Sequence, residues 1–271
     1  MRRHIRGLDH VVILVRDLKR ARDTYQRLGF TLTPRGYHSL GSQNHCIMFG
    51  HDYLELMALP KPHPAFRYFS DFLARGEGVG AIALATDDAG AAYSEITRAG
   101  IAAEAPLALS RPVKGLGEAR FTLVQLPASQ TPGFRTFLCQ HHTRDIVWRP
   151  EYQSHALGAM EIAGIAIVAQ DAADYARVFG EMPRPIEDGL LIATGSAPIL
   201  VSNAQKIARR LDAVTLPRRA APGVAALFIR VADRARAAAA MRRGGFSPVK
   251  LKDGSFAVDA DKANGVVLVF G

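Results

Sequence analysis

His10-Val11-Val12-Ile13-Leu14-Val15-Arg16-Asp17 is an apolar run of strand length closed by an acid, and its pattern returns three times. Gly80 to Asp87, Gly164 to Asp171 and Ala226 to Asp233 have the same length and the same ending. Self-similarity on this scale marks a repeated supersecondary unit. Each closing aspartate is an acceptor for the first free N–H groups of a following helix. After Asp17, the residues Leu18, Ala21, Tyr25 and Leu28 form one stripe at helical spacing, and Gly29 supplies a left-handed stop. Asp233 leads to an Ala-rich helix ending at Gly245, Asp87 to one ending at Gly100, and Asp171 to a shorter one ending near Gly180.

Short strands punctuated by Gly and Pro follow each strand–helix pair. In the first unit they are expected at residues 30–33, 45–49 and 53–59. In the second they fall at 101–109, 120–126 and 134–140, and in the fourth at 246–251, 255–259 and 266–270. The third unit is compressed and ends at 199–202. Helices at 65–74 and 203–211 join the units within each pair, with Phe66, Phe69 and Leu73 expected inward on the first. The fold class is therefore α+β, built from four βαβββ modules. The domains are expected at 1–150 and 156–271, with 143–156 between them.

The chain has 271 residues, 48% of them hydrophobic and 22% charged, which excludes disordered and fibrous classes. Two cysteines, Cys46 and Cys139, rule out a disulfide scaffold and favour a reducing, cytoplasmic setting. The basic start resembles a leader, but the apolar run from Val11 to Val15 is too short for one, and no run of membrane-spanning length is expected. Net charge is +9, and 27 of the 34 basic residues are Arg. They are dispersed, 19 in residues 1–155 and 15 in 156–271, so neither nucleic acid nor membrane is the expected partner. Affinity for anionic small molecules fits better, and a homodimer is compatible with the pattern.

Four segments carry a family resemblance: Leu8-Asp9-His10-Val11-Val12, Leu28-Gly29-Phe30, Asn44-His45 and Tyr53-Leu54-Glu55-Leu56. Paired βαβββ modules with His on the first strand and Glu on the fourth resemble the vicinal oxygen chelate superfamily. Its members include glyoxalase I, extradiol dioxygenases, fosfomycin-resistance transferases and bleomycin-binding proteins. Leu138-Cys139-Gln140-His141 and His155-Ala156-Leu157-Gly158-Ala159 are similar to its glyoxalase-like domain branch. The resemblance implies two glyoxalase/bleomycin-resistance/dioxygenase-type domains and a divalent metal (Fe, Mn, Zn or Ni) in the N-terminal cup, held by His10 and Glu55. The other modules depart from the pattern, with Gly80, Gly164 and Ala226 at the first-strand position and Leu268 opposite Glu55.

All nine histidines lie in the first 155 positions, so imidazole chemistry belongs to the N-terminal half. Alternation sets Glu55 opposite Leu54 and Leu56. The third metal ligand is open among Gln140, His141, His142 and His45, and His141 best matches the branch pattern. His45 is a candidate acid/base alongside Glu55. Asn44, Trp148 and His155 are candidate substrate contacts, with Trp148 also suited to sealing the junction between halves. Gly76-Glu77-Gly78-Val79-Gly80 precedes a strand and does not open a helix, so it is not a nucleotide loop.

The leading functional expectation is a metal-dependent lyase, isomerase or dioxygenase acting on a small oxygen-chelating substrate. The alternative is a metal-free sequestering protein of the bleomycin-resistance type. A third reading makes the C-terminal half a scaffold or dimer surface.

Overall fold

The computed structural model describes residues 2–113, 115–179, 181–218 and 221–271. The first module contains β1 (Leu8–Leu14), α1 (Leu18–Leu28), β2 (Gly36–Tyr37), β3 (Gln43–Met48) and β4 (Tyr53–Ala58). Helix α2 (Arg67–Ala74) leads to the second, with β5 (Gly78–Ala85), α3 (Ala89–Arg98), β6 (Leu107–Val113), β7 (Gly117–Gln125) and β8 (Arg135–His141). The short α4 (Arg144–Val147) precedes the third module, with β9 (Ala159–Val168), α5 (Ala173–Phe179), β10 (Arg184–Ile186), β11 (Gly189–Ile192) and β12 (Ile199–Ser202). Helix α6 (Ala204–Arg210) joins it to β13 (Gly223–Val231), α7 (Arg234–Arg243), β14 (Val249–Lys250), β15 (Phe256–Val258) and β16 (Val267–Phe270).

Two eight-stranded sheets result, in the orders β2-β3-β4-β1-β5-β8-β7-β6 and β10-β11-β12-β9-β13-β16-β15-β14. In each, the two leading strands of a module pair lie antiparallel at the centre, and each pairs in parallel with the last strand of its own module. The expected plan holds, with shifts at its weaker elements. Residues 30–33 run as irregular backbone, and the second strand forms only at Gly36–Tyr37. Asp17 and Asp233 cap their helices through the N–H groups of Arg20 and Arg236. In the second module the cap is Asp88, which accepts from Ala91, while Asp87 pairs with Arg6 in solvent. The expected helix end at Gly180 lies outside the described residues.

One face of each sheet packs on α1, α3, α5 and α7, so the helices form a layer between the sheets with one continuous core. The opposite, concave faces differ. Behind the second sheet, Ile207 and Leu211 at α6 pack with Leu200, Ala226 and Val267 into a smaller apolar cluster. In the first sheet, Phe72 of α2 packs on Val12, Leu14 and Met57 with Phe69 and Leu73 beside it, while Phe66 lines a remaining cavity. Edge strands β2 and β6 approach one another and curl the sheet around that cavity.

Candidate functional site

The cavity measures about 160 Å³ and has a polar floor and largely apolar walls. Its floor is set by alternation. On β1, His10, Val12 and Leu14 face inward while Val11 and Ile13 enter the helix-side core. On β4, Tyr53, Glu55 and Met57 face inward with Leu54 and Leu56 behind. Parallel pairing sets Glu55 beside Val12, two residues along from His10, and brings Glu55 Oε2 to 3.7 Å from His10 Nε2.

Alternation would send Asp9 to the face opposite His10, but the β1–β5 ladder shifts register between Leu8 and His10. Asp9 is the extra residue of this bulge, and a bulge re-aims a side chain. Its Oδ1 lies 2.5 Å from His10 Nδ1 and 3.1 Å from His141 Nε2. Burial alone would raise the Asp9 carboxyl, but hydrogen bonds and charge from the two imidazoles hold it well below the usual carboxylate range. With Nδ1 directed at Asp9, His10 turns Nε2 toward Glu55. The His10 ring is fixed further by stacking on Tyr53 at 4.3 Å and by the edge of Phe137 at 5.4 Å.

Asn44, inward on β3, donates from Nδ2 to Glu55 Oε1 at 2.6 Å, leaving Oε2 for the His10 side. His38, in the turn after β2, brings Nε2 to 3.9 Å from Glu55 Oε1 and is tied at Nδ1 to Ser42. Burial depresses His38, the nearby Glu55 opposes this, and the Arg111 charge adds to it. Neither periodicity nor resemblance singles out His38; its only sequence signal is membership of the N-terminal histidine set.

The structure brings His10, Glu55 and Asn44 together and separates the other expected site residues. His141 lies on the concave face of β8, but its Nε2 goes to Asp9, behind His10, and not to Glu55. Its ring is held by edge contacts with Phe121 and Trp148, each at 4.9 Å, and its buried Nδ1 has no hydrogen-bond partner. Gln140 faces the helix side and caps α3 through Ala89, while His142 meets Thr122. His45 pairs with Leu56 across the ladder and so faces away from Glu55, with Nδ1 on the Thr33 carbonyl. His155 is a buried strut: Nδ1 accepts from the Thr31 N–H, and Nε2 donates to the Met48 carbonyl. Trp148 packs on Tyr53 and His141 beneath the Arg144 guanidinium, outside the cavity lining.

His10 Nε2 and Glu55 Oε2, beyond hydrogen-bond contact yet open to one cavity, have the spacing and donor chemistry that a single divalent ion spans. His38 Nε2, 3.9 Å from Glu55 Oε1, is a further imidazole nitrogen on the floor. A second donor group, Asp9, Cys139 and His141, has atoms within 4.8 Å of one another. It fits less well, because Asp9 Oδ1 already serves two imidazoles and burial pushes the Cys139 thiol well above its ordinary value. The first strand of module two has no room for a side chain at the position that matches His10. Gly80 stands at the second register shift, and a Cβ there would lie 2.2 Å from Leu14 Cδ1.

Comparison with known proteins agrees with this fold. No curated protein matches the chain by sequence. Among solved structures, a hypothetical protein from Staphylococcus aureus superposes with a TM-score of 0.67 at 13% identity, over 97% of this chain and 98% of that one. 4-Hydroxymandelate synthase from Streptomyces coelicolor, as an engineered mutant, gives 0.61 at 13% identity over 98% and 92%. A xylose isomerase-like TIM barrel/4-hydroxyphenylpyruvate dioxygenase fusion protein gives 0.63 at 15% identity, covering 98% of this chain and 49% of its own, so the chain spans about half of it. At these identities the likeness is one of fold. The glyoxalase-like domain family model matches residues 8–182, the stretch that supplies His10, Glu55 and the whole first sheet, and the chain belongs to that family, within the vicinal oxygen chelate superfamily.

Proposed function

We propose that the N-terminal cavity is the active site of a divalent-metal-dependent enzyme acting on a small substrate with adjacent oxygens. The observation that carries this reading is the pair His10 Nε2 and Glu55 Oε2, 3.7 Å apart on the floor of an otherwise apolar cavity. Glu55 Oε1 is held by Asn44, and a cation beside the buried Oε2 would compensate the rest of the carboxylate. His10 and Glu55 would hold the ion, with His38 within reach. When bound, it supplies Lewis-acid stabilisation of negative charge developing on substrate oxygens.

The chain's own residues do the rest. Asp9 fixes the His10 tautomer, and Asn44 fixes the Glu55 carboxylate by holding Oε1. Val12, Met57, Phe69 and Phe137 keep water from the reacting region, which strengthens each electrostatic contact inside. Of the lyase, isomerase and dioxygenase types, the dioxygenase is favoured by the fold neighbour that carries a 4-hydroxyphenylpyruvate dioxygenase. Two buried, unpaired cysteines support a reducing cytoplasm as the working compartment.

Apolar cavity walls also support a second reading, a metal-free protein that sequesters a small amphipathic molecule. Metal uptake separates the two. After incubation with Fe(II), Mn(II), Zn(II) or Ni(II) and desalting, the full chain should retain about one equivalent of at least one metal. His10→Ala and Glu55→Gln should retain under about a tenth. Less than a tenth of an equivalent of every metal in the unaltered chain would end the enzyme proposal.

A further inference from the structure

Among the described residues, one carboxylate and two guanidinium side chains line the cavity, Glu55, Arg135 and Arg111, and the first two have partners. Glu55 is held by Asn44, and Arg135 reaches Glu104 at 3.1 Å while lying over the Tyr68 ring. The third, Arg111 on β6, is half-buried, and among the described residues its guanidinium has no carboxylate or hydrogen-bond partner. A guanidinium that lines a cavity wall without a partner in the chain keeps its donors free for an anion from outside it.

The placement is built into the sheet edge. Strands β2 and β6 meet there, and a Cβ on Gly36 would stand 3.2 Å from Arg111 Nη1 and 2.3 Å from Asn44 Oδ1. With no side chain at position 36, the guanidinium and the amide share the space above β2. Arg111 therefore sits close to His38 and Asn44, the groups that border Glu55. Its charge helps depress His38 and works against the rise of the Cys46 thiol, which burial pushes up to about 12.

We propose that Arg111 anchors the carboxylate of the ligand, so that the cavity takes a small amphipathic monocarboxylate whose far end meets His10 and Glu55. This rests on the cavity being the substrate site and adds the substrate class. One unpaired guanidinium matches one negative charge and presents a planar fork to a planar carboxylate. A phosphate monoester, with nearly twice the charge, would find no second free cation among the described lining residues. A volume of about 160 Å³ admits one aromatic ring or a short acyl chain between the two ends.

Isothermal titration calorimetry on the full chain, first treated with chelator and then loaded with metal, tests this using 3-phenylpropionate, 3-phenylpropionamide and phenyl phosphate. In the chelator-treated protein the acid should bind at least about tenfold more tightly than the amide and more tightly than the phosphate. Arg111→Gln should abolish the acid's advantage and leave amide affinity and melting temperature unchanged. Equal binding of acid and amide by the unaltered chain, no acid binding at 10 mM, a preference for phosphate, or an advantage that survives Arg111→Gln would each overturn the assignment. The comparison within the unaltered chain decides the matter even if the variant folds poorly. An Arg111-dependent preference in a protein that binds no metal would sustain the anchor while removing the metal; metal uptake without the preference would do the reverse.

Discussion

Asp9 occupies the one position in the first half of β1 that the antiparallel ladder with β5 skips, and this slip gives the site its orientation. Without it, the carboxylate next to His10 would face the helix layer and leave the imidazole free to turn. With it, one buried oxygen accepts from two rings on two strands. Asp9→Asn, which keeps shape and removes charge, should weaken metal affinity by about 10- to 100-fold. Competition against a chromogenic chelator measures this without reference to turnover, and unaltered affinity would reduce Asp9 to packing. His10 and Glu55 were legible because strand alternation and resemblance agree on them. Asp9 and His38 were not, because a bulge and a turn break the period from which facing is read.

At the scale of elements, Asp52 just ahead of β4 shows how the sheets are joined. Both its oxygens accept from the Ile162 N–H of β9, at 3.1 and 3.3 Å. Burial raises its carboxyl to about 7, with that hydrogen bond pulling the other way and Glu161 adding to the rise. The native state therefore keeps a proton that the unfolded chain releases near pH 4, and stability contributed by Asp52 falls as pH rises from about 4 to about 7. Asp52→Asn should remove this slope, so its stability relative to the parent should improve by on the order of 2 kcal/mol between pH 5 and pH 8. Urea unfolding at the two pH values measures it, and a constant difference would refute it. The helices and central strands were readable from their caps and apolar runs. Strand β2 was placed early because Phe30 packs into the helix-side core and reads as strand, while β14 forms within its expected range but over two residues only.

Across the whole molecule, the four-module plan was visible as repeated strands, yet the sequence treated the halves as separable. The structure joins them through one core. Tyr25 donates to the Ala263 carbonyl, Phe30 meets Phe270, and Phe134 stacks on Tyr175 at 5.7 Å. Residues 1–156 alone should therefore lack a cooperative urea transition, and a sharp one would show that the first sheet stands by itself. Contact between α1 and the end of α7 is so close that a Cβ at Gly244 would lie 1.6 Å from the Arg27 carbonyl oxygen. Because backbone cannot yield as a side-chain tip does, Gly244→Ala should cost about 3 kcal/mol or more by chemical denaturation.

Helices α2 and α6 hold the same place in the chain order of their halves, each leaving the last strand of one module for the first strand of the next. Ile207 and Leu211 have turned α6 into a stopper, while Phe69 of α2 and Phe66 just before it form a side wall of the cavity. The division of labour between the halves is thus written in connecting helices of eight and seven residues, and exchanging them would be the shortest route to moving the cavity from one half to the other.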